Sequence, residues 1–223
     1  MDNHTLLRTV ADQGLVQVER NQLQRFDWLL AALDIFIDEG IEAVRITRLA
    51  GDLGVTRGSF YWHFSNRADL VDSLVAYWRD KNTSVIVEAV TKATSLSDGI
   101  FRFFDTCVDS SQFDPKLDLA LREWARRSSD VRQQIELADT TRIQAITDFF
   151  TRFDYPMPQA LIRARVIYFA QIGFYALDVK EALSTRLSYT EAYYECFTGK
   201  ILASGEADLF RKRIMQQYLG ELP

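Results

Sequence analysis

Apolar residues recur at intervals of three and four along most of this chain, the spacing that places them on one face of an α-helix. The clearest early run extends from Phe26 to Ile37 and predicts an amphipathic helix that ends at Gly40. No stretch alternates apolar and polar residues between the turn signals of a β-hairpin. The pattern therefore predicts an all-α fold.

Later apolar runs predict further helices, separated by polar breaks or breaks that contain glycine or proline. The first of them begins after Asn66, which forms a carboxylate variant of a capping box with Asp69. We expect these helices over residues 67–93, 98–111, 117–127, 129 or 130 to 153, 159–180, 189–203 and 208–219. Residues 1–24 are less regular and predict an N-terminal extension.

Residues 45–67, with the sequence RITRLAGDLGVTRGSFYWHFSNR, carry two short helical signals joined by a glycine turn. In the first signal the apolar residues share one face, and Gly54 supplies the left-handed residue that ends the helix. Thr56 is a natural N-cap for the second helix, which we expect to run from Arg57 to about Phe64. This arrangement predicts a helix-turn-helix.

The second helix of this motif has a distinct inner face. Phe60 and Phe64 are four residues apart, so both side chains point into the motif. Tyr61 and Trp62 then lie outside, where two large rings suit contacts with phosphate, sugar or a thymine methyl group. The candidate DNA-contacting residues are Thr47, Arg48, Thr56, Arg57, Gly58, Ser59, Tyr61, Trp62, His63 and Arg67.

We expect two kinds of contact between these side chains and DNA. Arg57 and Ser59 reach base edges, whereas Tyr61, His63 and Arg67 hold phosphates. Arg67 lies in the first turn of the next helix, where a positive charge opposes the helix dipole. A phosphate partner therefore explains Arg67 better than helix stability does.

The segment GVTRGSFYWHFSNRADL, residues 54–70, resembles the DNA-binding segment of the TetR family of transcriptional regulators. The matching positions, all within residues 25–80, are Leu49, Ala50, Val55, Thr56, Phe60, Tyr61, Trp62, His63, Phe64 and Arg67. The resemblance implies an α-helical homodimer whose three N-terminal helices bind operator DNA. It also implies that the C-terminal helices bind a small molecule that alters the affinity for DNA.

This resemblance suggests three parts for the chain. Residues 1–24 are the extension, residues 25–67 the helix-turn-helix DNA-binding domain, and residues 68–223 a helical domain for ligand binding and dimerisation. The implied protein is a ligand-responsive repressor that binds a palindromic operator as a homodimer and is released by a small, mostly apolar effector. A two-fold dimer places its half-site centres about 34 Å apart.

Two features depart from the family pattern. Arg45 stands where serine or threonine commonly opens the first motif helix, so that helix begins at Arg45 or at Thr47. Basic residues are also few, since the chain has 26 Lys and Arg against 31 Asp and Glu and a net charge of −5. Within residues 45–67 the arginines are opposed only by Asp52, so affinity for DNA must come from a focused patch.

Composition sets wider bounds on the protein. A content of 48% apolar and 13% aromatic residues is ample for a packed core in 223 residues. No run approaches the roughly 18 apolar residues of a membrane span, and no export signal is recognisable, so we expect a cytoplasmic protein without a membrane partner. Cys107 and Cys196 are expected to be reduced, buried thiols.

The arginines near the N-terminus leave two interpretations open. Arg8, Arg20 and Arg25 allow an arm that reaches into a DNA groove. The plainer account is a frayed terminus or one that packs in the dimer.

Residues 159–180 and 189–203 are the candidate dimerisation helices. Both carry apolar residues on more than one face, and Gly173 allows a partner helix to approach closely. A packing role for Gly173 inside one subunit is the alternative.

Large aromatic residues are numerous in the C-terminal part and suggest an apolar ligand cavity. The candidate pocket residues are Phe101, Phe104, Cys107, Arg122, Trp124, Phe149, Tyr168 and Phe169. The plainer alternative is that the rings fill a core, and that Arg122, Glu123 and Arg126 form an ion-pair ladder on a helix surface.

The residues needed for catalysis are not apparent. His4 and His63 are the only histidines, so no Ser-His-Asp arrangement or two-histidine metal site can be assembled in the C-terminal part. We expect no enzymatic activity, no metal site and no cofactor. A helical enzyme and an interaction adaptor that has lost DNA binding remain the rival classes, and a salt titration with random duplex distinguishes the adaptor from a DNA-binding protein.

Overall fold

The computed structural model describes residues 23–219. No β-strand occurs in this range, so the predicted all-α fold is confirmed. The helices are α1 Arg25–Glu39, α2 Ile46–Asp52, α3 Arg57–Phe60, α4 Arg67–Thr91, α5 Leu96–Val108, α6 Pro115–Ala125, α7 Ser129–Arg152, α8 Met157–Ala176, α9 Leu183–Ser188, α10 Thr190–Thr198 and α11 Glu206–Leu219, with a short 3-10 helix Ile41–Ala43 after α1. Apart from residues 23 and 24, the predicted N-terminal extension lies outside the described residues, and so do Arg8 and Arg20.

Local capping fixes several helix starts. The Asp69 N–H donates to Asn66 Oδ1 at 3.1 Å at the start of α4, as the capping signal predicted. Asp114 Oδ1 accepts from the Leu117 N–H at 3.0 Å, and Pro115 occupies the first turn of α6, where its missing N–H is not needed.

Helix α5 begins earlier than its sequence pattern indicated. Ser95 Oγ accepts from the Asp98 N–H at 3.0 Å and caps the helix at Leu96. Gly99 therefore lies inside α5 rather than in a break. A Cβ atom at Gly99 would lie 2.0 Å from the Phe149 ring, so glycine is what allows that ring to pack against α5.

The chain forms two compact units. The first comprises residues 23–82 and 114–136, and the second comprises residues 83–113 and 137–219. Helices α4 and α7 each contribute residues to both units. The boundary suggested by sequence, at residue 67, placed all later helices in one domain, whereas the first unit also takes in α6.

The first unit has a core of large apolar residues. Its buried side chains include Trp28, Leu33, Phe36, Val44, Leu49, Phe60, Phe64, Leu70, Leu74, Trp78, Leu117 and Leu121. Two long-range contacts hold α6 in this unit. The Trp78 Nε1–H donates to the buried Asp118 Oδ1 at 2.8 Å, and the Trp124 ring meets the Phe36 ring edge-on with centroids 5.8 Å apart.

The second unit is built from α5, α8–α11 and the C-terminal parts of α4 and α7. Its main core includes Ile86, Val90, Ile100, Phe103, Phe113, Ile146, Phe149, Phe150, Ile167, Tyr168, Tyr194 and Phe197. A smaller cluster of Leu187, Phe210 and Ile214 fixes α11 against α9. The aromatic content noted in the sequence therefore supplies mostly core.

A charged side chain lies within the core of the second unit. The side chain of Arg142 is fully buried and donates to Thr83 Oγ1 at 3.1 Å and to the Tyr168 hydroxyl at 3.0 Å. The Tyr168 hydroxyl donates in turn to Asp139 Oδ1 at 2.6 Å. Burial of a guanidinium is tolerated only with such partners, so this network fixes the register of α4, α7 and α8 within the unit.

The outer face of α8 is unusually apolar for an exposed surface. Ile162, Val166 and Phe169 are 56%, 46% and 54% exposed, and they are spaced by four and three residues along one side of the helix. The opposite side, with Ala160, Ala164 and Ile167, is buried. This arrangement is the two-sided apolar pattern that the sequence indicated for residues 159–180.

The two cysteines differ in environment. Cys107 is buried in α5, as expected, whereas Cys196 is exposed on α10, so the prediction that both are buried is wrong for Cys196. Within residues 23–219, no helix is long and apolar enough to cross a membrane, and no three His, Cys, Asp or Glu side chains are placed to hold a metal ion.

Candidate functional site

Helices α2 and α3 and the turn between them form the motif that the sequence predicted. Gly54 has a φ of +67°, the left-handed conformation that favours glycine, and the Val55 N–H bonds to the Ala50 carbonyl at 2.9 Å. Thr56 occupies the N-cap position with an extended backbone, but its hydroxyl makes no capping hydrogen bond. The predicted role of that hydroxyl as a cap is therefore wrong.

Helix α3 is shorter than predicted. It ends at Phe60, and a tighter turn continues to His63 through bonds from residues 61, 62 and 63 to carbonyls three residues earlier. A chain wound with three residues per turn spaces its side chains about 120° apart instead of about 100°. The predicted helix through Phe64 is thus wrong in its last turn, although the turn keeps the same residues outside.

The inner face of this motif is aromatic. Phe60 and Phe64 are both buried and their rings stack at a centroid distance of 5.3 Å. The Trp28 ring of α1 meets Phe60 edge-on at 5.3 Å. The four-residue spacing predicted that the two phenylalanines share the inner face. The contact with Trp28 is tertiary and had no such local signal.

The outer face presents the residues predicted to contact DNA. Tyr61 is 59% exposed, and Trp62, at 88%, is the most exposed large apolar side chain in the described range. Among the other candidates, Thr47, Thr56, Arg57 and Gly58 are exposed, and Arg48, Ser59, His63 and Arg67 are half-buried. The motif therefore brings the whole predicted set to the surface of one small region.

Two of the candidate arginines already have partners in the protein. Arg48 bonds both carboxylate oxygens of Glu39 and lies 3.6 Å from Asp52 Oδ2, and its hydrogen bonds hold the pKa of Glu39 below the usual value. Arg67 donates from Nε to the Val44 carbonyl at 2.6 Å and from Nη2 to the Ile41 carbonyl at 2.5 Å. Arg67 thus has a structural role that the sequence did not reveal.

One of the two interpretations left open for the N-terminal arginines placed Arg25 in an arm, whereas the structure places it at the start of α1. Its Nη2 donates to Asp69 Oδ1 at 3.0 Å and to Ser73 Oγ at 2.8 Å, and its guanidinium lies 4.2 Å from the centre of the Phe64 ring. The hydrogen bonds from the Ser65 N–H and Arg25 hold the pKa of Asp69 below its usual value. Arg25 therefore fastens α1 to α4 behind the outer face.

The predicted ligand-pocket residues do not come together. Arg122 and Trp124 lie in the first unit, where Arg122 Nε donates to Asp118 Oδ2 at 2.7 Å and Trp124 packs on Phe36. Of the remaining residues, Phe101 and Phe104 line the cavity described below, in the second unit. The sequence gave no signal that Arg122 and Trp124 would pack in a different unit from the other candidates, because that depends on contacts between helices distant in sequence.

Four of the predicted pocket residues lie elsewhere in the second unit. Cys107, Phe149 and Tyr168 are buried in its core, and burial raises the pKa of the Cys107 thiol to about 12. Phe169 follows Tyr168 directly and therefore points away from the core, onto the exposed face of α8. None of these four residues lines the cavity described below, and Phe169 lies on the exposed face of α8.

The cavity itself lies between α5, α9, α10 and α11. The space between these walls that protein atoms leave empty is about 460 Å³, part of it open to solvent. It is lined by Ile100, Phe101, Phe104, Asp105, Val108, Leu183, Arg186, Leu187, Thr190, Tyr193, Phe210 and Ile214. Sequence analysis missed the contribution of α11, whose weak apolar pattern did not mark it as a cavity wall.

The sequence of the motif matches known regulators. Residues 29–74 match the family described as "Bacterial regulatory proteins, tetR family". A segment of 54 residues is 43% identical to the tetracycline repressor protein class C of Escherichia coli and covers 24% of this chain and 25% of that protein. Another, of 61 residues, is 33% identical to the HTH-type transcriptional repressor BepR of Brucella suis and covers 27% and 29%. The chain thus spans roughly a quarter of the length of each of these two relatives.

Solved structures match over a larger part of the chain. A TetR-family transcriptional regulator from Marinobacter aquaeolei aligns with a TM-score of 0.62 at 16% identity, over 86% of this chain and 98% of that one. The ketosteroid transcriptional regulator KstR2 of Mycobacterium tuberculosis aligns with a TM-score of 0.59 at 16% identity, over 82% and 98%. At these identities the likeness concerns the fold.

An all-α chain with an aromatic and basic helix-turn-helix near its N-terminus is similar in architecture to the class of helical DNA-binding transcription regulators. Within that class, residues 29–74 match the TetR family, and the fold of the chain is similar to that of solved TetR-family regulators.

Proposed function

We propose that this protein is a ligand-responsive transcriptional repressor that binds a palindromic operator as a homodimer and is released by a small, mostly apolar effector. The observation that carries the proposal is the exposure of Tyr61 and Trp62 beside Arg57, on a motif whose opposite face is buried. Large exposed rings on a rigid element favour a partner that covers them. Phosphate, sugar and base edges in a DNA groove supply that partner.

The proposed DNA contacts follow from which side chains have partners in the protein. Arg57 is exposed and lies in the first turn of α3, so it is assigned to a base edge together with Ser59. Tyr61 and His63 are assigned to phosphates. Arg48 and Arg67 lie in the same region, but their hydrogen bonds to Glu39 and to the Ile41 and Val44 carbonyls leave them fewer donors for DNA.

The proposed homodimer uses the outer face of α8. Ile162, Val166 and Phe169 form an apolar stripe that a single chain leaves in water. In a two-fold symmetric dimer, the stripe of one copy packs against the same stripe of the other copy, as an isologous interface requires. Such a dimer presents two motifs to two half-sites about 34 Å apart.

The sign of regulation is inferred from named relatives. Two proteins similar to the motif are called repressors, a tetracycline repressor and BepR. Release by an effector requires that the effector bind the DNA-competent and DNA-incompetent states with different affinity. A tenfold loss of operator affinity needs only about 1.4 kcal/mol of coupling, and α4, which contributes residues to both units, is the element proposed to carry it.

The proposal is tested by selecting duplexes from a random library and measuring binding by fluorescence anisotropy at several salt concentrations. A DNA-binding repressor yields a palindrome and binds random duplex with an affinity that falls steeply as salt is added. The selected operator should compete at least about 1,000-fold better than random duplex. Failure to select any site, together with salt-insensitive or absent binding, supports the interaction adaptor instead.

A further inference from the structure

Arg48 of α2 pairs with two carboxylates of the protein. Its Nη1 donates to Glu39 Oε2 at 2.7 Å, its Nη2 donates to Glu39 Oε1, and its Nε lies 3.6 Å from Asp52 Oδ2. Among the four arginines of residues 45–67, all of which the structure describes, Arg48 is the one that pairs with carboxylates. Its three guanidinium nitrogens therefore face acidic oxygens, although Arg48 lies within the helix-turn-helix.

The pairing with Glu39 uses the donors that a phosphate group needs. A guanidinium bonds to a carboxylate through two parallel N–H groups, and it bonds to a phosphate through the same two groups. The Arg48 side chain is 38% exposed and the Glu39 side chain is 49% exposed, so a phosphate that approaches from solvent can reach this pair. Two N–H groups that bond to Glu39 cannot bond to a phosphate at the same time.

The position of Glu39 is unfavourable for its own helix. Glu39 is the last residue of α1, where a negative charge opposes the helix dipole, and no basic residue lies in that last turn. The hydrogen bonds from Arg48 hold the pKa of Glu39 below its usual value, so the carboxylate stays ionised well below neutral pH. Arg48 is thus the group that accounts for an ionised side chain at the end of α1.

We propose that Glu39 restrains DNA binding by competing with DNA phosphate for the Arg48 guanidinium. The inference rests on the proposed function, because it concerns how strongly the same motif binds DNA. When a phosphate takes the Arg48 donors, the bidentate pair breaks and the Glu39 carboxylate is left close to the phosphate. Both effects lower the affinity, so Glu39 sets the strength of binding without a DNA contact of its own.

Asp52 does not replace Glu39 in this role. It lies one turn along α2 from Arg48 and approaches Nε at 3.6 Å, which leaves both terminal nitrogens of Arg48 for phosphate. Removal of the Glu39 charge alone therefore frees the two donors that bind phosphate side by side.

The first test replaces the Glu39 carboxylate with an amide of the same shape. Glu39→Gln should bind random duplex about fivefold more tightly at about 0.1 M salt, the fold-change that corresponds to an exposed ion pair of about 1 kcal/mol. The dependence of affinity on salt should become steeper by about one unit, because one more phosphate is neutralised. Fluorescence anisotropy at several salt concentrations measures both quantities. Weaker binding by Glu39→Gln would mean that Glu39 orients Arg48 toward DNA, which overturns the proposal.

Glu42→Gln is the matched control for charge. It removes one negative charge from an exposed residue in the 3-10 helix after α1, whose backbone carbonyl, not its carboxylate, accepts a bond from Arg45. This variant should strengthen binding less than Glu39→Gln does and leave the salt dependence unchanged. Equal gains from both variants would mean that net charge alone acts, and the proposed competition would be wrong.

A double-mutant cycle assigns the gain to Arg48. In an Arg48→Ala background, Glu39→Gln should bind DNA no more tightly than Glu42→Gln does in the same background. A gain that persists without Arg48 contradicts the competition. Melting temperatures show that each variant remains folded.

Operator selection separates a failure of this inference from a failure of the proposed function. If wild type selects an operator but Glu39→Gln behaves like Glu42→Gln, the proposed function is supported and only the inference is overturned. If neither wild type nor Glu39→Gln binds any duplex, both are overturned.

Discussion

Arg67 Nε donates a hydrogen bond of 2.6 Å to the backbone carbonyl of Val44. A second bond of 2.5 Å joins Arg67 Nη2 to the Ile41 carbonyl. The first residue of α4 is thereby tied to the segment just before α2. The guanidinium fixes the start of α4 relative to the motif, whatever it contributes to DNA binding.

Replacement of Arg67 tests this structural role. Arg67→Ala should lower the free energy of unfolding by about 1–3 kcal/mol, because two backbone carbonyls lose charged donors. Operator and random DNA should both be bound more weakly. Arg67→Lys is the matched control and should recover only part of the stability, since an ammonium lacks the planar fork. An unchanged melting temperature with a salt slope lowered by about one unit would mean that Arg67 acts on phosphate alone.

Replacement of Arg57 tests the assignment of a base contact. Arg57→Ala should reduce discrimination between operator and random duplex by about 1–3 kcal/mol while leaving the melting temperature unchanged. Arg126→Ala removes the same charge from an exposed residue paired with Glu123 and serves as the control. Competition binding with both duplexes measures the effect. Equal losses on both duplexes would place Arg57 on the DNA backbone instead.

Trp62 and Phe60 should behave oppositely when truncated. Trp62 is 88% exposed, so Trp62→Ala should change the free energy of unfolding by less than about 0.5 kcal/mol yet weaken operator binding. Phe60 is buried against Trp28 and Phe64, so Phe60→Ala should destabilise the protein by about 3–5 kcal/mol. Chemical denaturation measures the free energy of unfolding of each variant, and fluorescence anisotropy measures its affinity for the operator. Unaltered operator affinity in Trp62→Ala would remove Trp62 from the interface.

The two thiols should react differently. Cys196 is exposed, whereas burial raises the pKa of Cys107 to about 12, so a disulfide reagent near neutral pH should titrate one thiol in the native protein and two after denaturation. Because the folded state holds the Cys107 proton more tightly, stability should decline as pH rises above the unfolded thiol pKa of about 8.5. Cys196→Ser is the control and should abolish native reactivity. Rapid reaction of both native thiols would contradict the burial of Cys107.

The outer face of α8 should control the oligomeric state. Phe169→Glu places a charge in the proposed two-fold interface and should shift the protein toward monomers in sedimentation velocity at micromolar concentration. Leu137→Glu makes the same kind of change at another exposed apolar residue of the second unit and should leave the dimer intact. A wild-type monomer at that concentration excludes the proposed dimer altogether.

Much of the candidate DNA interface was predictable from local sequence. The spacing of Phe60 and Phe64 identifies an inner face, and Gly54 marks the turn because its φ of +67° is one that other residues rarely adopt. Tyr61 and Trp62 then follow as the outer face. These are properties of adjacent residues, so they do not depend on the rest of the fold.

The ligand cavity was not predictable in the same way. Periodicity shows that Phe101, Phe149 and Tyr168 lie on apolar helix faces, but not which other helix covers each face. Phe101 lines the cavity, whereas Phe149 packs against Gly99 and Tyr168 bonds to Arg142. Each outcome depends on a contact between helices far apart in the sequence.

The sequence by itself determined the motif and the approximate positions of most helices, α9 excepted, since apolar spacing, glycine turns and caps such as Asn66 act within a few residues. Only the tertiary structure decided that α6 packs in the same unit as the motif, through Trp124 on Phe36. It also decided that Arg67 bonds to backbone carbonyls. The physical reason is that a helix pattern specifies an apolar face and its polar edges, whereas the partners of that face are chosen by the packing of the whole chain.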